Sequence, residues 1–171
     1  PTISVGGILK AIEGNIKVGK SDIFVSEACE YTNSFLHFYP RYSVILNVEA
    51  EHLDFFKDIQ DIRNSFRKFA ENTKKDGAII INGEIENYTE LTSGLDPQVI
   101  TFGLNDSCDY YPSDITFDKT ACASFTAMHH GTPVMDVKLH VPGMHNVSNA
   151  LAAIALSLDL GISTDAILAG L

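Results

Sequence analysis

The residues able to do chemistry collect behind two short apolar runs. Ser43 to Val48 is followed by Glu49, Glu51, His52 and Asp54, and Asp22 to Ser26 is followed by Glu27, Cys29 and Glu30. Runs of this length, rich in Val and Ile, read as buried strands. In open α/β sheets, ligands bind in the crevice outside the carboxyl ends of parallel strands, so a strand that ends in carboxylates and an imidazole marks a candidate site. If the two strands are parallel neighbours, Glu27 and His52 leave the sheet at the same edge, and the expected chemistry is a metal and phosphate site. Carboxylates suit Mg2+, which takes one or two of them together with water and phosphate oxygens. The imidazole of His52 suits a softer ion such as Mn2+ better. Plainer readings stand beside these. Glu27 and Glu30 also fit a solvated loop or an N-capping pair for a following helix, and His52 a hydrogen-bonded structural histidine. Asp54 either orients the His52 ring or opens the next helix.

A third cluster is His145-Asn146-x-x-Asn149, at the start of a helical pattern. Asn146 is a natural N-cap. The functional alternative is contact with an adenine, because a carboxamide can bond a purine edge through two atoms at once and Asn149 lies one turn further along the same face. His37, His129, His130 and His140 read as structural or solvent-exposed.

Gly14-Asn-Ile-Lys-Val-Gly19-Lys20-Ser21 matches the phosphate-cradling pattern G-x-x-x-x-G-K-S in every letter. That cradle works only where the loop joins a strand end to a helix start, so that backbone N–H groups and the helix dipole converge on the anion. Here no clear strand precedes Gly14, and DIFVS after it reads as a strand. The expected structure is a surface turn with solvated lysines.

The elements that must position these residues follow from pattern. Thr2 to Val5 reads as a strand broken by Gly6-Gly7, Ile8 to Glu13 as a single helical turn, and Gly14 to Ser21 as a loop. Asn33 to Tyr39 reads as a helix stopped by Pro40. Asp58 is an N-cap for a helix with Ile59, Ile62, Phe66 and Phe69 at helical spacing, ending near Lys74-Lys75 with Gly77 at the C′ position. Ala78 to Asn82 and Gln98 to Phe102 are further buried strands. After Gly103 the texture changes to alternation: Tyr110 to Phe117, Ala121 to Met128 and Val134 to Val141 predict an antiparallel three-stranded meander. A helix from about Asn146 to Leu160 buries Val147, Leu151, Ile154 and Leu158, and Ser163 caps a last helix. The predicted class is α/β: a mostly parallel sheet flanked by helices, plus a small antiparallel three-stranded sheet.

Bulk composition narrows the function. At 171 residues the chain is one domain by length, and 45% hydrophobic content can build a core. A net charge of −10 argues against nucleic acid as the main partner. Three widely spaced cysteines fit neither a disulfide framework nor zinc, which suggests a reducing, cytoplasmic setting. No stretch reaches a membrane span, and no signal peptide is visible. The opening on Pro1 suggests a segment cut from something longer.

Three segments together resemble one family. SEACEYTNSFLHFYP, VILNVEAEHLDFF and PGMHNVSNALAAIAL occur in the order and at about the spacing found in the Mur ligases, across nearly the whole chain. The resemblance implies the central ATP-binding domain of an amide ligase of peptidoglycan synthesis. A substrate carboxylate, with UDP-N-acetylmuramate as the expected substrate, attacks the γ-phosphate of ATP to give an acyl phosphate. An amine, L-alanine, then displaces the phosphate. Glu27 and His52 would hold the divalent metal (Mg2+ or Mn2+), and His145, Asn146 and Asn149 would contact the adenine side of ATP. Glu30 would lie toward the muramyl substrate or behind the metal ligands. Glu51 stands where the family often has Asp, with its charge kept. The family's P-loop is expected before Pro1, with a UDP-binding domain ahead of it and an amino-acid-binding domain after Leu171, so the chain alone is expected not to ligate. Alternatives are a ligase that recycles murein tripeptide, a nucleotide-binding module using Gly14 to Ser21 as a true P-loop, and a non-catalytic scaffold.

Overall fold

A computed structural model describes residues 1–171. The chain divides into two compact units, Pro1–His37 and Phe38–Leu171.

The first unit is a three-stranded sheet with β1 (Thr2–Leu9) between β2 (Gly14–Lys17) and β3 (Phe24–Ser26). β1 pairs antiparallel with β2 and parallel with β3. The strand does not stop at Gly6-Gly7, as the sequence suggests. It runs on to Leu9 and absorbs the glycines as an irregularity in register between Ser4 and Leu9, the usual place of glycine inside a strand. The turn expected at Ile8 to Glu13 is present as a 3₁₀ turn, Lys10–Ile12. The expected helix after Asn33 is instead a 3₁₀ segment, Tyr31–His37, interrupted by left-handed Thr32 and Asn33.

The second unit is built on a six-stranded sheet in the order β4-β5-β6-β7-β8-β9. Its strands are β4 (Tyr42–Ile45), β5 (Ala78–Asn82), β6 (Gln98–Phe102), β7 (Tyr110–Phe117), β8 (Cys122–His129) and β9 (Thr132–Pro142). β4 through β7 are parallel, and β7, β8 and β9 form the antiparallel meander. The meander is continuous with the parallel strands rather than a separate sheet, joined by the pairing of Phe102 with Tyr110. The α/β class is as expected.

Helices cover both faces. α1 (Ile59–Glu71) begins where the sequence places it, with the Asp58 carboxylate accepting from the Asp61 N–H at 2.8 Å. It ends earlier than expected, at Asn72, so Gly77 is no helix terminator. Gly77 precedes β5, where a Cβ would lie 1.6 Å from the Arg41 carbonyl oxygen; the close pass of two backbones requires glycine there. α2 (Thr89–Thr92) is a single turn packed against α1 and held by the Arg63 guanidinium, which donates to the Glu86 and Asn87 carbonyls. α3 (Met144–Asp159) crosses the other face and touches every strand of this sheet. Its Val147, Leu151 and Ile154 are fully buried with Ile80, Ile100, Phe102 and Phe125 in one core. Each such side chain contributes about 1.5–3 kcal/mol by burial. α4 (Thr164–Gly170) starts at Ser163, whose hydroxyl accepts from the Ala166 N–H.

Candidate functional site

β4, β5, β6, β7 and β9 all run in one direction, and β8 runs against them. The loop carrying Glu49, Glu51 and His52 leaves the carboxyl end of β4. α3, with His145, Asn146 and Asn149, leaves the carboxyl end of β9 and packs back over β4, β5 and β6. Both clusters thus leave strands at carboxyl ends, where open α/β sheets bind ligands.

The loop after β4 is tied at several points. Regular pairing with β5 ends at Ile45, opposite Ile81. One residue on, the Leu46 carbonyl accepts from the Asn82 carboxamide at 3.1 Å. The Asn47 amide donates to the Glu49 carboxylate, and the Val48 N–H donates to Asn47 Oδ1 at 2.9 Å. His52 adopts φ +54°, a left-handed conformation in which His is over-represented among non-glycine residues. Its carbonyl accepts from the N–H groups of Phe55 and Phe56, each at 2.9 Å, and Phe56 is buried. Asp54 lies in this turn; the helix begins only at Ile59.

Between Arg41 and Lys57 the chain carries Glu49, Glu51 and Asp54 and no lysine or arginine. A polyphosphate meeting this loop would find repulsion with no compensating cation. The carboxylate and imidazole donors fit a divalent metal, which would reverse the local charge.

Glu27 follows β3 in the first unit. Its N–H donates to the Ser4 carbonyl, and its carboxylate accepts from the Gly6 N–H at 2.5 Å. The carboxylate is thus fixed in direction by the backbone of β1. Glu30 opens the following turn, its carbonyl accepting from the Asn33 N–H. The condition that the strands before Glu27 and His52 be parallel neighbours is not met: β3 pairs with β1 and β4 with β5, in different sheets. Strand order depends on pairings distant in sequence, which local pattern does not encode.

Asn146 is not the N-cap. Gly143, at φ +104°, takes that position, and Met144 begins the helix. Asn146 lies within the first turn and donates its amide back to the Pro142 carbonyl at 2.8 Å, while its own oxygen accepts from the Asn149 amide at 3.4 Å. Asn146 therefore joins β9 to α3 and orients Asn149. The His145 ring lies over Gly143, where a Cβ would approach its Cε1 to 2.7 Å. No side chain caps this helix and no acidic residue sits in its first turn, so its positive end is not neutralised locally.

The Gly14 to Ser21 stretch lacks the P-loop geometry. It starts as β2 and leads into β3, with no helix after Lys20. Gly19 is explained by packing: a Cβ would lie 2.1 Å from the Pro1 carbonyl oxygen, and its N–H donates to Thr2 Oγ1 at 3.1 Å.

One participant went unnoticed in the sequence. Asn82, read only as the last residue of a buried strand, reaches across to the exit of β4. The available signal was a carboxamide closing an otherwise all-apolar run.

Comparison with known proteins bears on the family and the fold. Residues 9–157 match the Mur ligase middle domain. The UDP-N-acetylmuramate–L-alanine ligase of Agathobacter rectalis is 66% identical over 171 residues, covering all of this chain and 37% of that protein. The solved UDP-N-acetylmuramate-alanine ligase of Thermotoga maritima superposes with a TM-score of 0.83 at 31% identity, over 100% of this chain and 37% of that one. The UDP-N-acetylmuramate:L-alanyl-gamma-D-glutamyl-meso-diaminopimelate ligase of Neisseria meningitides shares the fold, with a TM-score of 0.84 at 24% identity, over 98% of this chain and 56% of that one. The chain thus spans a little over a third of the first two relatives. With the motifs on one α/β scaffold and most of its length matched, the chain belongs to the Mur ligase family, as its middle domain.

Proposed function

We propose that this chain is the ATP-handling domain of a cytoplasmic ligase that joins L-alanine to UDP-N-acetylmuramate. The observation that carries the reading is the 66% identity to the Agathobacter rectalis ligase over the whole chain, in a sequence that carries the Glu-His loop and the His-Asn-x-x-Asn helix start. In this reading a muramyl carboxylate attacks the γ-phosphate of ATP, and the L-alanine amine displaces phosphate from the resulting acyl phosphate. Such chemistry asks the protein mainly for positioning and charge neutralisation.

The roles are those the family resemblance implies, and each is one the residue's chemistry allows. Glu27 and His52 supply a carboxylate and an imidazole to Mg2+ or Mn2+, which when bound neutralises phosphate charge. The Gly6 N–H holds the Glu27 carboxylate, and the Phe55 and Phe56 N–H groups hold the backbone that carries His52. Asn149 meets the adenine edge, Asn146 holds it in direction, and the His145 ring lies beside them at the helix start. Glu30 serves the muramyl substrate or supports the metal ligands. The tripeptide-recycling ligase is the second reading, favoured only by the shared fold of the Neisseria protein.

The test is a domain exchange. This chain replaces the matching segment of the Agathobacter rectalis ligase, and ADP release is followed with UDP-N-acetylmuramate and either L-alanine or the tripeptide. Release that needs L-alanine supports the assignment, and release that needs the tripeptide gives it to the second reading. A chimera that folds and binds UDP-N-acetylmuramate but turns over with neither would refute both. The isolated chain is expected to release no ADP.

A further inference from the structure

We propose that Asn82 is a positioning residue for the metal-binding loop, a role that rests on the assignment of His52 as a metal ligand. Ladder pairing between β4 and β5 stops at Ile45. The next carbonyl along, that of Leu46, is held by Asn82 Nδ2 at 3.1 Å, so a side chain continues the hydrogen bonding where the backbone ladder ends. The same carboxamide accepts from the Glu84 N–H at 2.9 Å, which fixes its orientation: nitrogen toward β4, oxygen toward its own chain. Glu84 in turn accepts from the Asn105 amide at 2.8 Å. The carboxyl ends of β4, β5 and β6 are thereby linked in one polar chain, Leu46–Asn82–Glu84–Asn105.

What this chain steadies is the stretch Asn47 to His52. At its far end the His52 carbonyl is anchored by Phe55 and Phe56. At its near end nothing in the ladder holds it, and Asn82 supplies the tie. Between the two anchors the loop carries Glu49, Glu51 and His52. Asp in place of Asn82 keeps the size and the acceptor for Glu84 but sets a carboxylate against the Leu46 carbonyl. The near anchor is lost while the core stays intact.

The experiment compares the parent chain with Asn82→Asp, His52→Ala and Asn105→Ala. Amide hydrogen exchange of residues 46–56 reports the loop, and electron paramagnetic resonance of free Mn2+ reports metal affinity. The expected result is faster exchange across the loop in Asn82→Asp together with about a tenfold weaker Mn2+ affinity. His52→Ala should abolish binding. Asn105→Ala, three hydrogen bonds removed from Leu46 and leaving both Asn82 bonds in place, should stay within about twofold of the parent. Unchanged loop exchange in Asn82→Asp overturns the proposal whatever the metal does. Faster exchange with parental Mn2+ affinity overturns it as well, since the loop would then move without consequence for the ion. Equal Mn2+ binding by parent and His52→Ala, or none by the parent, removes the metal assignment itself and the role of Asn82 with it.

Discussion

At the scale of single residues, the constraints that matter most are local collisions and protonation. Gly77→Ala places a methyl at 1.6 Å from the Arg41 carbonyl oxygen. Neither backbone can yield without breaking the start of β5, so the substitution should cost at the upper end of roughly 1–3 kcal/mol, read as a fall in the urea unfolding midpoint. Gly131→Ala, at a positive φ with open space around it, should lose only the conformational contribution and is the natural comparison. Protonation acts at His129, whose ring stacks on Tyr110 at a centroid distance of 4.3 Å. Burial pushes its pKa below the ordinary value, and neighbouring His130 adds to this while Asp109 opposes it. The folded state therefore binds this proton less readily than the unfolded state does. Its contribution is fully present above the unfolded pKa and is lost as pH falls through the folded one. His129→Phe should flatten the loss of stability between about pH 7 and pH 5, measured by thermal unfolding across that range. An unchanged pH profile would show that the ring titrates as it does in the unfolded chain.

At the scale of elements, legibility follows how local the determinants are. β5 and β6 were readable to the residue because Ala78 to Ile81 and Ile100 to Phe102 are buried on both faces and the runs are bounded by turn residues. α1 was readable at its start because the Asp58 cap is a contact between near neighbours. Asp58→Ala should accordingly cost about 1 kcal/mol and raise amide exchange in the first turn of α1 before any other element. The start of α3 was less legible. Asn146 has the chemistry of an N-cap, but Gly143 supplies the turn, and the Asn146 amide is drawn back to Pro142. The partners of β3 and β4 were not legible at all. A strand's sequence declares burial but not its partner, and β3 took β1. The candidate residues were found because carboxylates and imidazole after an apolar run are a chemical signal. Asn82 was missed because its role lies in a bond to Leu46, 36 positions away.

At the scale of the whole molecule, the question is where a nucleotide's phosphates can be held. The Gly14 to Ser21 stretch offers the letters of a phosphate cradle on a chain of net charge −10, and Lys20 would be its cation. The fold removes the mechanism. A cradle needs the amide groups of a helix start, and here β2 precedes the turn and β3 follows it. Gly19 is glycine because its backbone passes close to Pro1, and its N–H is already given to Thr2 Oγ1. The stretch thus has neither the converging donors nor the dipole, and Lys20 is a lysine on a surface turn. The other candidate for nucleotide contact, the α3 start, is proposed to meet the adenine rather than the phosphates, through Asn149 in the first turns of a helix of 16 residues. Calorimetric titration with ATP and Mg2+ should separate the two. Lys20→Ala is expected to match the parent within about twofold, whereas Asn149→Ala should weaken whatever affinity the parent has, by the loss of a hydrogen bond worth about 1 kcal/mol or more. Binding that vanishes with Lys20 and ignores Asn149 would return the phosphates to Gly14–Ser21 and overturn the placement of the nucleotide at α3.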